Sequence, residues 1–192
     1  PGARGGVNIR RRKFLKRRLF AGSILAALAF LVAGSAARAQ DTAPKKPVTP
    51  TSAILDNWND IGNRLVAMAE DWPEDKYGYR PNADVRSFAE VMRHLAGSNY
   101  EMVNAAVKKK LGVEGDNPPA DQFKTKAQIV DYLKKSVSDG ATAIQQSGDA
   151  EILKHLDYWT GYIEHMGEHY GQLVVYYRNN GVVPPASRKK AS

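Results

Sequence analysis

After residue 50, the apolar residues of this chain recur at three- and four-residue spacing, and no stretch alternates as a half-buried strand would. Ile54, Leu55, Trp58, Ile61, Leu65 and Met68 form one such run, and Phe88, Val91, Met92, Leu95, Met102 and Val103 a second. Ile129, Val130, Leu133, Val137 and Ile144 form a third, and Ile163, Met166, Leu173 and Val174 a fourth. Each is a stripe on one helical face, which must be buried against another element. Start and stop signals fall between the runs. Thr51 or Ser52 can cap the first helix, and Trp72-Pro73 ends it, because the residue before a proline is pushed out of the helical region. Ser87-x-x-Glu90 and Thr125-x-x-Gln128 are capping boxes for the second and third. Ser147-Gly148-Asp149 interrupts the chain, and Asp149 can cap the turn of Ile152, Leu153 and Leu156 that leads into the fourth. Asn180-Gly181, followed by Pro184-Pro185, stops it. The prediction is an all-α four-helix bundle over residues 52–185, with loops at 71–84 and 112–121.

The N-terminal segment has a different grammar. A basic region, an apolar run from Leu19 to Ala33 and Ala37-Arg38-Ala39 as a small-x-small site read as a cleavable export signal over residues 1–39. The apolar run is shorter than the roughly 20 residues of a bilayer-spanning helix. Arg11-Arg12-Lys13-Phe14-Leu15-Lys16 resembles the twin-arginine pattern, with ordinary Sec export as the alternative. The sequence starts at Pro1 rather than Met, so the start of the gene product is expected to be missing or misassigned. Residues 40–51, rich in Pro, Lys and Thr, read as a disordered linker, and 186–192 as a loose polar tail. The expected location is periplasmic or extracellular, with no stable membrane anchor after cleavage.

Charge follows the same division. Nine of the 28 Lys and Arg residues lie in residues 1–39, which hold no acid, so the rest carries 19 basic against 20 acidic residues. The net +8 of the whole chain therefore gives no argument for nucleic acid as a partner. The chain has no cysteine, which excludes disulfides, a thiol nucleophile, cysteine metal ligands and a lipoprotein anchor. Lys124, Lys126, Lys134 and Lys135 read as a solvated helix face, and Tyr77 and Tyr79 as packing over the bundle end.

Chemistry concentrates in Tyr162–Gly181. His165 and His169, four residues apart on a helix, leave the same face one turn apart, and Tyr162, Gln172 and Tyr176 share that face. Two imidazoles at this spacing can hold one divalent ion; equally, they can be half-buried side chains bonded to water or carboxylates. His94, inside the second helix between Arg93 and Leu95, is either a core histidine or a third ligand if it faces that ridge. Three protein ligands with an open position is the arrangement of a catalytic metal. Glu90, one turn before His94, is then a candidate to orient it, with its capping role as the competing duty. His155 lacks a helical partner and reads as a surface residue. His165-Met166-Gly167-Glu168-His169 also fits H-x-x-E-H, in which Glu168 would be a general base, but no acid follows His169 to complete a peptidase site.

Two motifs in order carry a family resemblance. Tyr79-Arg80-Pro81 leads to Arg86-Ser87-Phe88-x-Glu90-x3-His94-Leu95, and His165-x3-His169-x-Gly171-Gln172-Leu173 is followed by Tyr177-Arg178 and Gly181. Over Trp58 to Pro185 the chain resembles the DinB-like (DinB/YfiT-type) metalloenzymes, with Tyr170 where members often carry Arg or His. The resemblance implies a four-helix bundle holding one divalent ion, nickel or zinc, on His94, His165 and His169. It further implies a small-molecule substrate, in some members a thiol joined to an electrophile by S-transfer. A metal-dependent hydrolase with Glu168 as base and a non-enzymatic metal-binding protein are the alternatives, and a homodimer is a possible assembly.

Overall fold

The first helix begins at a proline because a proline fits there. Pro50 occupies its first position, where an N–H would have no partner within the helix, and Thr49 is the N-cap. Two reciprocal bonds close the cap: Ser52 N–H donates to Thr49 Oγ1 at 3.2 Å, and Thr49 N–H donates to Ser52 Oγ at 2.9 Å. The expected cap at Thr51 or Ser52 is thus displaced to Thr49, since Ser52 serves as the returning half of a capping box. The computed structural model describes, apart from Gly2, residues 47–189. The segment 1–39 expected to be an export signal, the expected linker up to residue 46 and the last residues of the tail, 190–192, lie outside the described residues.

Four α-helices follow: α1 (Pro50–Asp71), α2 (Phe88–Val107), α3 (Lys126–Lys154) and α4 (Leu156–Asn179), with short 3-10 turns at Glu74–Lys76 and Pro185–Ser187. There is no strand among the described residues, and no helix among them is long and apolar enough to cross a membrane. Most inter-helix packing lies in α1–α3, α2–α3, α1–α4 and α2–α4, so α1/α2 and α3/α4 are the diagonal pairs of an all-α four-helix bundle. The capping boxes at Ser87/Glu90 and Thr125/Gln128 start α2 and α3 as expected. Helix α2 ends at Val107, with Lys108 in the left-handed region at φ 53°, because the Asn104 side chain turns the chain by accepting from Leu111 N–H at 2.7 Å. The break foreseen at Ser147-Gly148-Asp149 is a kink within α3, at Gly148 with φ 71° and ψ 168°. Asp149 does not cap a new turn; its carboxylate accepts from Thr51 N–H at 3.0 Å, in the first turn of α1. Only His155 separates α3 from α4.

The core is densely aromatic. Trp72 stacks on Phe88 with centroids 4.8 Å apart and lies 4.6 Å from Tyr177, joining the ends of α1 and α4 to the start of α2. All three rings are fully buried. Tyr77 is buried edge-on against Phe88, and Tyr79 packs edge-on against Tyr176 at 5.9 Å, so both tyrosines are packing residues. Two elements read as solvated are in fact tied down. Lys126 donates to the carbonyls of Glu70 at 2.6 Å and Trp72 at 2.8 Å, satisfying groups at the end of α1. Arg188, in the expected loose tail, forms a bidentate pair with Asp71 at 2.7 and 2.6 Å, and that bond is the main reason the Asp71 carboxyl stays below its ordinary range. Neither partner could be assigned from a one-dimensional pattern of lysines and arginines.

Close approach of α1 and α3 depends on Gly140. Trp58 is fully buried and its indole N–H donates to Val137 O at 2.9 Å, which fixes the ring. A Cβ added at Gly140 would stand 2.1 Å from Trp58 Cζ2. Gly140→Ala gains about 1 kcal/mol of helix propensity, but overpacking against a fixed ring costs about 1–3 kcal/mol or more. The expected net result is a destabilisation of roughly 1–2 kcal/mol, seen as a lower denaturant midpoint; an unchanged or higher midpoint would show that the indole can yield.

Candidate metal centre

His94 lies two turns inside α2, on the side that faces α4, and is only 5 % exposed. Its position is secured by the loop that follows α2. Gly97 has no side chain, and Gly115 O sits where a Cβ would be only 2.3 Å away, so the loop lies directly on the helix. Gly115 N–H donates to Gly97 O at 3.3 Å, and Asn104 donates to Glu114 at 2.7 Å. Asp116 therefore reaches His94: Nδ1 is 2.8 Å from the Asp116 carbonyl oxygen and 3.0 Å from its carboxylate. Arg86 holds that carboxylate from the other side at 2.8 Å.

From α4, His165 and His169 turn their rings to the same point. His94 Nε2 is 3.0 Å from His165 Nε2 and 3.0 Å from His169 Nε2. One nitrogen from each of the three lies within 4.8 Å of the other two, a set able to hold a metal ion.

The hydrogen-bond network assigns the protons. The Tyr176 hydroxyl donates to Arg86 O at 2.5 Å and accepts from Gln172 Nε2 at 3.0 Å. This orients the Gln172 amide with Oε1 toward His169 Nδ1, 2.8 Å away, so that nitrogen carries the proton. His94 Nδ1, facing only oxygens, carries its proton as well. A neutral imidazole has one N–H, so His94 Nε2 and His169 Nε2 present bare lone pairs to each other at 3.0 Å. A proton on His165 Nε2 can satisfy one of the two contacts at His94 and leaves the other repulsive. A cation at the meeting point satisfies all three lone pairs, and neutral imidazoles held by outer hydrogen bonds are the donors that such an ion requires.

Electrostatics favours the neutral form of two of the three, His165 and His94. Burial, above all, pushes the pKa of His165 down to about 4, with the neighbouring histidines adding to it. Burial also lowers His94, against the opposing pull of its hydrogen bond to Asp116.

His94, His165 and His169 are thus brought together, as the sequence anticipated. Glu90 is not part of their shell: its carboxylate accepts from Ser87 N–H at 2.6 Å and from Arg80 at 2.9 Å, and so serves the capping box. Glu168 is exposed and stands outside the three-histidine group. His155 is exposed, 3.0 Å from Glu151 one turn back. Tyr162 lies edge-on to His165 at 6.3 Å, and Tyr170 lies beneath Arg64, 5.9 Å from its guanidinium carbon. Asp116 was not foreseen, because it sits in a loop with no periodic relation to the histidines. Gln172 was placed on the right face without a role, although the i,i+3 spacing from His169 is a legible signal.

The depressed histidines make folding stability depend on pH. Below about pH 6.5 the unfolded chain binds protons that folded His94 and His165 refuse. Their contribution is therefore intact above that pH and is lost as pH falls toward about 4, the folded value for His165. The metal-free protein is expected to be less stable at pH 5 than at pH 7.5, with His165 alone contributing on the order of 1 kcal/mol after solvent screening. Denaturant titration at both pH values, with His165→Gln alongside, checks this; the variant should show a smaller pH difference, and an equal one would remove the assignment.

No curated protein matches the chain. Residues 58–176, more than half of its length, match the DinB superfamily. That span takes in all three histidines together with the loop that holds His94, and the chain belongs to the DinB superfamily.

Proposed function

We propose that His94, His165 and His169 hold one divalent ion, nickel or zinc, that leaves a position for a small-molecule thiol, and that the protein is an exported metal-dependent thiol S-transferase. The observation that carries the metal reading is the convergence of three ring nitrogens, with His94 Nε2 3.0 Å from both His165 Nε2 and His169 Nε2. An ion bound there would supply Lewis acidity, lowering the pKa of a thiol so that the nucleophilic thiolate is available near neutral pH. The chain's own part is positional. Asp116 and Gln172 keep the proton of His94 and His169 on Nδ1, away from the centre. A cleft of ≈ 360 Å³ bordered by His94, Ser98, Tyr162 and His165 gives access from solvent. The chain has no cysteine, so any thiol must come from the substrate. Hydrolysis is the weaker reading, since Glu168 is exposed and outside the histidine group and leaves it without a positioned base.

Calorimetric titration of the full chain with Ni²⁺ and with Zn²⁺ should give one ion per chain. His94→Ala, His165→Ala and His169→Ala should each weaken binding by more than the roughly 10–100-fold that loss of an outer-shell partner costs. His155→Ala should bind as the wild type does. Affinity should fall as pH drops through about 6.5, where free imidazoles take up protons. Full-strength binding by His94→Ala would defeat the convergence argument. With metal loaded, a panel of thiols and electrophiles should give conjugates; turnover of esters or amides instead would transfer the reading to hydrolysis. For export, Arg11→Lys with Arg12→Lys should retain the protein in the cytoplasm, and unchanged secretion would assign it to the Sec route.

A further inference from the structure

The cleft beside the histidines has a chemical sign. It is bordered by Glu101 and Asp116, from α2 and the following loop, and by Asp157, Tyr158 and Tyr162 on α4, and no Lys or Arg lines it. The Asp116 charge is answered by Arg86. Glu101 and Asp157 are exposed and form no ion pair among the described residues, so two carboxylates stand unbalanced at the mouth. The floor carries an independent observation. Ser98 lines the cleft, is only 6 % exposed, and its hydroxyl makes no hydrogen bond among the described residues. A hydroxyl on an otherwise buried side chain, open to a cleft that His94 and His165 also line, is a polar contact available to a ligand. Tyr158 and Tyr162 supply two aromatic rings, 5.5 Å apart at 54°, along the same wall.

Resting on the metal reading above, we infer that the substrate that enters this cleft is a small molecule bearing a cationic group, an ammonium or quaternary ammonium, a few bonds from its metal-seeking atom. Carboxylates at the mouth attract the cation through Coulomb forces, and tyrosine faces stabilise it by cation–π contact. Anionic small thiols meet the same two carboxylates as repulsion. A second cleft, where Arg80, Arg86 and Arg93 stand beside Asp84 and Glu90, is of mixed charge and is not lined by the histidines, so the selectivity belongs to the access route itself.

Three probes that share one spacer and one sulfur separate charge from ligation: thiocholine, 2-mercaptoethanol and 2-mercaptoethanesulfonate. Full-chain protein loaded with Co²⁺ is titrated with each, and thiolate binding is read from the sulfur-to-cobalt absorption. At low salt thiocholine should bind about tenfold or more tighter than the sulfonate, with 2-mercaptoethanol between, and the gap should shrink at high salt. In Glu101→Gln with Asp157→Asn the gap should close to within about threefold while cobalt affinity is unchanged. Both positions are exposed, and circular dichroism verifies that the variant is folded. Three equal affinities, or tightest binding of the sulfonate, would overturn the cation selectivity and leave the metal centre standing. A gap that persists in the double variant would overturn the role of the two carboxylates. Cobalt uptake without response to any thiol would overturn this inference and the thiol reading together, and failure to bind cobalt at all would overturn the centre on which both rest.

Discussion

A single hydrogen bond, from the Tyr176 hydroxyl to the carbonyl oxygen of Arg86, decides which nitrogen of His169 turns its lone pair to the candidate centre. Because Tyr176 donates there, it must accept from the Gln172 amide, and the amide must then turn its oxygen to His169. Without that anchor the amide could flip, and the His169 proton could move to the nitrogen that faces the other histidines. The same residue acts on the second arm, since the Arg86 guanidinium holds the Asp116 carboxylate against His94. Arg86 directly precedes the N-cap of α2. The Ser87/Glu90 capping box and the stacking of Phe88 under Trp72 thus do more than start a helix. They fix the residue to which both outer arms of the site are tied.

The site and the core have different physical demands. The aromatic layer of Trp72, Phe88 and Tyr177 is non-directional burial, with each large side chain contributing on the order of 1.5–3 kcal/mol. The histidine cluster is directional, and in a partly dehydrated setting an unsatisfied member is costly. Because the core draws nothing from the histidines, the bundle does not need an ion to close around. A fold of that kind can hold three imidazoles in readiness, which is what a centre with an exchanging ligand requires.

How much of this was legible in the sequence follows from the range of each interaction. The four helices were, since stripes such as Ile54–Trp58–Leu65 and caps such as Thr125/Gln128 are local and periodic. The i,i+4 pair His165/His169 was legible for the same reason, and His94 followed from its place on an inward face and from the family motifs. What was not legible is carried by loops and long-range polar contacts. Asp116 reaches His94 because Gly97 lets a loop lie on α2, and nothing in the spacing of residues 97–116 announces that seat. Lys126 and Arg188 read as solvated cations because their partners, at the end of α1, are more than fifty and more than one hundred residues away. Gln172 had the right spacing from His169, but its orientation is fixed only through Arg86, on another helix's doorstep.

The three histidines are not equivalent, and the difference bears on what the centre is for. His94 and His169 each have their Nδ1 proton held, by Asp116 and by Gln172. His165 Nδ1 is buried and has no hydrogen-bond partner among the described residues. A proton on His165 Nε2, which lies 3.0 Å from His94 Nε2, would avoid that cost. An ion held by His165 Nε2 would drive that proton onto Nδ1, leaving a buried N–H unsatisfied at a cost of about 1–3 kcal/mol. At about 1.4 kcal/mol per tenfold, that is roughly a tenfold to hundredfold loss of affinity relative to a fully partnered site. A storage or purely structural site gains nothing from such a weakness. A catalytic centre tolerates it, and His165, like His94, borders the access cleft through which a substrate would enter.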